Sequence, residues 1–295
     1  MKNKKAYKKK KSIALIIISA SSILLLLIAL LSVLYPTISY IANDMTDITA
    51  VNSYTDITNT LTENEKESYI KEAKKYNNKI AQLDITESFK DYDETINGYD
   101  SILNIDNGIM GSVSIPKINV TLPICHGTSE DVLSEGAGHL SNTSFPIGGS
   151  DTHAVISAHT AYPGKIFFDD LPKLEENDIF YINILGDTLV YKVIKKEIVD
   201  PDNVESLKIT KGKDYVSLVT CYPYAVNTHR LIVTGERMAD NETENNSVLI
   251  KDIGQIDYLQ RYQLLFIILF ILTLIIILTL IVSIIQHIIN NKKIK

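Results

Sequence analysis

Apolar positions fall into three regimes along the chain. Ile13 to Leu34 forms 22 mostly apolar residues, and Leu264 to Ile285 forms a second such run. At ~1.5 Å per residue, each is long enough to cross a ~30 Å hydrocarbon core. Between them the period changes twice. Thr62-Glu63-Asn64-Glu65 has the form of a capping box, and Tyr69, Ala73, Tyr76, Ile80 and Leu83 then recur at helical spacing. This predicts an amphipathic helix over about 62–83, its stripe packed on the wall of the domain that follows. From Gly111 onward the apolar runs become short and β-like: Gly111 to Ile115, Asn119 to Ile124, His153 to Ser157, Ile179 to Leu185, Thr188 to Val199, Tyr215 to Thr220 and Arg230 to Glu236. Seven or eight strands with few helices predict a closed barrel or a sandwich.

The remaining stretches connect these regimes. Pro36 to about Thr60 is rich in Asn, Asp and Thr and reads as a polar spacer; Asp84 to Asn107 lacks strong periodicity and reads as a long functional loop or a solvated connector. Ile166 to Leu171 and Asp202 to Leu207 read as short helical turns or loops, and Met238 to Leu259 as a polar return toward the second apolar run.

Charge sets the expected topology. Seven lysines lie among the first eleven residues, and Lys292, Lys293 and Lys295 follow the second apolar run. The positive-inside rule then places both ends in the cytoplasm and the middle outside. The expected layout is a cytoplasmic basic tail over 1–11, a transmembrane helix over 12–35, and an extracellular spacer, helix and lid region over 36–110. A β domain over 111–238, a linker over 239–263, a second transmembrane helix over 264–287 and a cytoplasmic tail over 288–295 complete it. The first apolar run exceeds the 7–15 residues usual in a cleaved signal peptide, which favours an uncleaved anchor. All 35 acidic residues lie between the two runs, giving that segment a formal charge of −16. This argues against a nucleic-acid partner. No regular calcium-loop spacing accompanies the acidity, so no metal site is expected.

The candidate chemistry sits in the last hairpin. Cys221 closes one β-run and, after the loop Tyr222 to His229, Arg230 opens the next. Residues facing each other across an antiparallel pair have Cα atoms ~4.5–5.5 Å apart, so a thiol and a guanidinium can share one mouth. A cation beside a thiolate lowers its pKa and stabilises negative charge developing on an attacked carbonyl oxygen. A proton acceptor completes the set, and His159, at the end of the His153 to Ala158 run, is the candidate. Strand spacing alone leaves His139 and His229 as rivals. His153 lies six positions back, about 20 Å at ~3.3 Å per residue. His287 falls at the far end of the second apolar run. Cys125 and Cys221 are the only cysteines, and outside the cell the competing expectation is a disulfide between them, which would remove the nucleophile.

These residues resemble a known family. Ser217-Leu218-Val219-Thr220-Cys221, with Arg230 nine residues on and His159 upstream, is similar to the sortase signature. Ile115-Pro116-Lys117-Ile118, His126-Gly127-Thr128-Ser129-Glu130, Gly136-Ala137-Gly138-His139-Leu140 and Asn227-Thr228-His229-Arg230 extend the likeness, which covers about 110–237 and is strongest with the class C, pilin-assembling branch. The resemblance implies a mainly β fold, a closed barrel of seven to eight strands. It implies a cysteine transpeptidase that cleaves a Leu-Pro-x-Thr-Gly-like sorting signal through a thioacyl intermediate and passes it to an amine, with Cys221, His159 and Arg230 as catalytic residues and no cofactor. The implied partners are membrane-tethered proteins bearing the signal, with pilin subunits or a cell-wall precursor as amine acceptor. Two departures stand out. The family's Gly-His-Arg is here Ala158-His159-Thr160, and the Asp-Pro-aromatic lid anchor is missing, with Asp91-Tyr92 its nearest counterpart.

Other readings remain open at this level. A catalytically inactive barrel that binds sorting signals is one, a housekeeping cell-wall attachment enzyme another. A Cys/His peptidoglycan hydrolase would have no need of Arg230, and a plain adhesin leaves the Cys/Arg spacing unexplained.

Overall fold

The computed structural model describes residues 2–82 and 98–239, with isolated positions between 267 and 276. The chain divides into two compact units, Met1–Thr243 and Glu244–Lys295. The first contains helices α1 (Lys2–Thr60), α2 (Glu63–Ile80) and α3 (Glu130–Glu135). Its strands are β1 (Ile109–Ile115), β2 (Val120–His126), β3 (Ala137–His139), β4 (Thr152–Ser157), β5 (Ile179–Ile184), β6 (Asp187–Val199), β7 (Asp214–Tyr222) and β8 (His229–Arg237).

The eight strands close into a barrel in the order β1-β2-β3-β4-β7-β8-β6-β5, with β5 pairing back onto β1. Closure leaves no sheet edge, which disposes of the unpaired backbone groups an open sheet presents. Most pairs are antiparallel, but β2/β3 and β4/β7 run parallel. β4 is buried over Thr152 to Ile156, as expected of a strand covered on both faces. The core is one cluster running from Met110, Val113 and Ile115 through Phe167, Phe168 and Phe180 to Leu218 and Val233.

The strand expectations hold with shifts of one or two residues at the ends, and the barrel replaces the sandwich alternative. β3 was not foreseen, because Gly136-Ala137-Gly138-His139 has no apolar alternation. Gly138 is needed there by close approach, since a Cβ would collide with the carbonyl oxygen of Gly127.

Helix α2 begins with the expected capping box. Thr62 Oγ1 accepts from the backbone N–H of Glu65, and the Glu65 carboxylate accepts from the Thr62 N–H at 2.8 Å. Ala73, Tyr76 and Ile80 are buried as the stripe requires, joined by Asn77. Asn77 pairs with both backbone groups of Phe145, donating to its carbonyl at 3.1 Å and accepting from its N–H at 2.7 Å. Leu83, the last position of the expected stripe, lies outside the described residues, as do Asp91-Tyr92 and most of the expected lid.

The structure corrects the reading of Pro36 to Thr60 as a spacer. The segment is helical and continuous with what precedes it, so α1 ends only at Thr60. Asn, Asp and Thr are weak helix formers, but propensity yields to burial of one face. Asp47, Ile48, Val51, Tyr54 and Thr58 recur at helical spacing and are all buried. Tyr54 fixes the contact, its hydroxyl donating to the Met110 carbonyl at 2.8 Å and accepting from the Leu185 N–H at 2.9 Å.

Among the described residues, no helix is long and apolar enough to cross a membrane. The span expected over 12–35 lies in α1, where most side chains are outside the described residues. The span expected over 264–287 is described only at isolated positions.

Candidate active site

Two strand pairings converge at one rim of the barrel. Antiparallel β7 and β8 place Cys221 directly opposite Arg230, with Thr220 opposite Leu231 and Tyr222 opposite His229. Parallel β4 lies on the other side of β7, with Ser157 beside Val219. The ladder continues past the end of β4, where Ala158 N–H donates to the Val219 carbonyl at 3.1 Å and Thr220 Oγ1 donates to the Ala158 carbonyl at 2.8 Å. His159 is the next residue and so emerges at the level of Cys221. The three expected residues therefore share one rim, all half-buried.

Local contacts orient each. Asn227 takes the left-handed backbone conformation (φ 62°), which Asn tolerates, and Arg230 Nη1 donates to its carbonyl at 3.4 Å and to that of His229 at 3.1 Å. This folds the guanidinium back over the β7–β8 loop. His159 stacks on Tyr162, ring centroids 5.2 Å apart at 19°, and its Nε2 lies 3.4 Å from Glu130 Oε2. The backbone behind it is tied down, with Phe168 N–H donating to the His159 carbonyl at 3.0 Å. Ala158, where the family has glycine, belongs to the core cluster, and Thr160 is also buried.

The rival histidines are engaged elsewhere. His139 is wholly buried, stacked on Phe145 at 5.1 Å, with Nε2 2.9 Å from the Ser144 carbonyl and Nδ1 2.9 Å from the Tyr99 hydroxyl. Burial pushes it down to about 3, so it is neutral. His153 is buried between the Lys208 carbonyl and Ser217 Oγ, and burial lowers its pKa too. His229 sits beside Thr228 and Asp200.

Both cysteines are free. Cys125 pairs with Gly138, one step of a row that runs through Ser157 to Val219. Three strand spacings of ~4.8 Å put it about 14 Å from β7 along the sheet, beyond the reach of a disulfide. The competing disulfide is thus excluded, and Cys125 is a packed free thiol. Burial, reinforced by the Glu135 carboxylate, pushes the Cys125 thiol up to about 11, leaving it a poor nucleophile.

Glu130 and Tyr162 had no role assigned from sequence. Glu130 closes the His126 to Glu130 motif and Tyr162 follows His159 by three residues, but nothing local in the sequence says that either flanks the imidazole.

Chemically, the rim brings a thiol, an imidazole and a guanidinium to neighbouring strand ends. That set suits attack on a carbonyl, stabilisation of the oxyanion and protonation of a leaving amine. Among the described residues no cluster of His, Cys, Asp or Glu could hold a metal ion.

A family model described as Sortase domain matches residues 113–238. Sortase D of Bacillus subtilis (strain 168) is 30% identical over 131 residues, 43% of this chain and 63% of its own length. The chain thus spans just under two thirds of that curated relative. Among solved structures, sortase C1 of GBS Pilus Island 1 is similar with TM-score 0.58 and 32% identity, covering 65% of this chain and 92% of that one. Clostridium perfringens sortase C, solved with the C-terminal cell wall sorting motif, is similar with TM-score 0.57 and 40% identity, covering 65% and 99% respectively.

Proposed function

The chain belongs to the sortase family, and we propose that it is a membrane-anchored cysteine transpeptidase of the pilin-assembling kind. The observation that carries this reading is the Cys221–Arg230 register pair with His159 delivered to the same rim by parallel β4.

In the proposed reaction, Cys221 passes its proton to His159 and its Sγ attacks the carbonyl carbon of the Thr–Gly bond in a Leu-Pro-x-Thr-Gly-like signal. Negative charge collects on the carbonyl oxygen, and Arg230, held at the loop by its bonds to Asn227 and His229, is the cation able to meet it. Collapse of the tetrahedral species breaks the C–N bond, and His159 gives a proton to the departing glycine amine. The threonine carbonyl is left as a thioester on Cys221. An incoming amine, here a pilin lysine, loses a proton to His159 and displaces the sulfur, which takes that proton back from His159 to restore the thiol. Water in place of the amine makes the same steps a slow hydrolysis.

A membrane location is supported by the two apolar runs and their flanking lysines, and by the exposure of Leu24, Leu25, Ile28 and Leu31 on α1, each more than half accessible. Tethering enzyme and signal-bearing protein to one membrane raises their effective concentration. In this reading both termini are cytoplasmic and the barrel is extracellular. The inactive-barrel alternative loses the support that a disulfide would lend it, because both thiols are free.

The test is transfer. Full-length protein is incubated with a library of fluorescent Leu-Pro-x-Thr-Gly-like peptides and a lysine-containing acceptor peptide. The proposal expects an isopeptide-joined product that disappears in Cys221→Ala; hydrolysis or transfer that survives that substitution contradicts it.

A further inference from the structure

Two groups brace His159, and both converge on one buried lysine. Tyr162, which stacks on the imidazole, belongs to the same tight loop as Lys165, whose N–H donates to the Tyr162 carbonyl at 3.3 Å. Glu130, whose carboxylate lies near Nε2, begins α3, and Glu135 at the end of α3 lies 3.8 Å from Lys165 Nζ. Asp169 closes the loop from within, its carboxylate accepting from the N–H groups of Ala161 and Phe167 at 2.9 and 3.0 Å.

Lys165 is in turn held by α1. Its Nζ lies 3.4 Å from Asp47 Oδ1, with side chains only 11% and 6% exposed, and 5.4 Å from the centre of the Phe167 ring. One turn earlier, Asn43 Nδ2 donates to the Gly164 carbonyl at 2.6 Å. Gly164 has φ +80°, and a Cβ there would sit 3.1 Å from Ser39 Oγ, so glycine is what allows the loop to lie against the helix. Burying an ion pair is a poor source of stability, because desolvation offsets the attraction; its better-attested use is to fix one arrangement among several. Burial raises the Asp47 carboxyl to about 6 against the pull of Lys165, with Asp44 and Glu135 adding to the rise.

We propose that Asp47 and Asn43 of α1, acting through Lys165 and Gly164, are positioning residues that hold the β4–β5 loop, and with it His159, in the reactive arrangement. The helix that continues from the expected membrane span therefore sets the geometry of the histidine. Asp47 lies twelve residues past that span, about 18 Å along the helix at ~1.5 Å per residue. This inference rests on the sortase reading of His159.

The test compares full-length protein with Asp47→Asn, Lys165→Met and the milder Asn43→Ala, which strands no buried charge. Lys165→Arg serves as the conservative variant. The expected result for Asp47→Asn and Lys165→Met is a kcat lower by about ten- to a hundredfold per folded molecule, with KM changed less than about twofold. Asn43→Ala should lose a few-fold, and Lys165→Arg should recover most of the rate. The independent readout is the His159 Hε1 proton resonance, which Tyr162 stacking displaces by its ring current; that displacement should shrink in Asp47→Asn. Variants that melt earlier yet keep kcat and the displaced resonance overturn the proposal, as their effect would be stability alone. If the unsubstituted protein makes no Cys221 thioester, the sortase reading has failed, and the resonance then decides the lock by itself: unchanged in Asp47→Asn, it overturns the lock as well.

Discussion

Glu130 places its carboxylate 3.4 Å from Nε2 of His159, a buried ring nitrogen with no hydrogen-bond partner among the described residues, while the glutamate side chain itself is 74% exposed. A contact with so exposed a carboxylate contributes little, and its electrostatic part is screened by salt. Glu130→Gln is therefore expected to slow transfer by no more than about fivefold, and its rate should respond less to added salt than that of the parent. A loss of several orders of magnitude would make Glu130 a participant in the chemistry rather than an orienting neighbour.

The two thiols should separate cleanly. Cys125 is pushed up to about 11 by burial and by Glu135, so its thiolate appears only as pH rises toward that value. Iodoacetamide at neutral pH should add one label, absent in Cys221→Ala, with a second label appearing only under strongly alkaline conditions. Intact-mass spectra of the labelled protein check this, and two labels at neutral pH would contradict it.

Tyr54 ties α1 to the barrel through two backbone groups, the Met110 carbonyl and the Leu185 N–H. Tyr54→Phe keeps the ring and leaves both partners buried without it. The expected loss is about 1–3 kcal/mol, read from urea denaturation. A change within a few tenths would mean that water replaces the hydroxyl there.

His139 makes stability depend on pH. Its folded pKa is depressed to about 3, so the unfolded chain, titrating near the ordinary 6.5, binds the proton more readily. The stability contributed is present above 6.5 and lost as pH falls from there toward 3, to a total of roughly 5 kcal/mol. His153 acts in the same direction. The urea midpoint of the full-length protein should fall between pH 6.5 and 4, and His139→Gln should flatten part of that fall. Identical slopes in parent and variant would contradict the assignment of His139 as a neutral core residue.

What could be read from the sequence was what short-range periodicity encodes. The β7–β8 hairpin has alternating apolar runs around one loop, so the Cys221–Arg230 pairing followed from loop length and register. The capping box at Thr62 and the stripe of α2 were likewise local. His159 was distinguished from its rivals mainly by family resemblance, because only the parallel β4/β7 pairing brings it alongside Cys221, and no local pattern reports a parallel register. The elements missed are those whose reasons are tertiary. α1 runs through residues of weak propensity because Ile48, Val51 and Tyr54 find the barrel. β3 is three residues long, α3 is six, and Lys165 meets Asp47 across 118 positions.

The central claim is that Cys221, His159 and Arg230 form one acyl-transfer site. Its most direct test is the intact mass of full-length protein after brief exposure to a sorting-signal peptide without an acceptor amine. The account predicts an adduct equal to the peptide up to its threonine, removed by hydroxylamine, absent in Cys221→Ala and formed much more slowly in His159→Ala and Arg230→Ala. An adduct that persists in Cys221→Ala, or one whose rate ignores both His159 and Arg230, would contradict it.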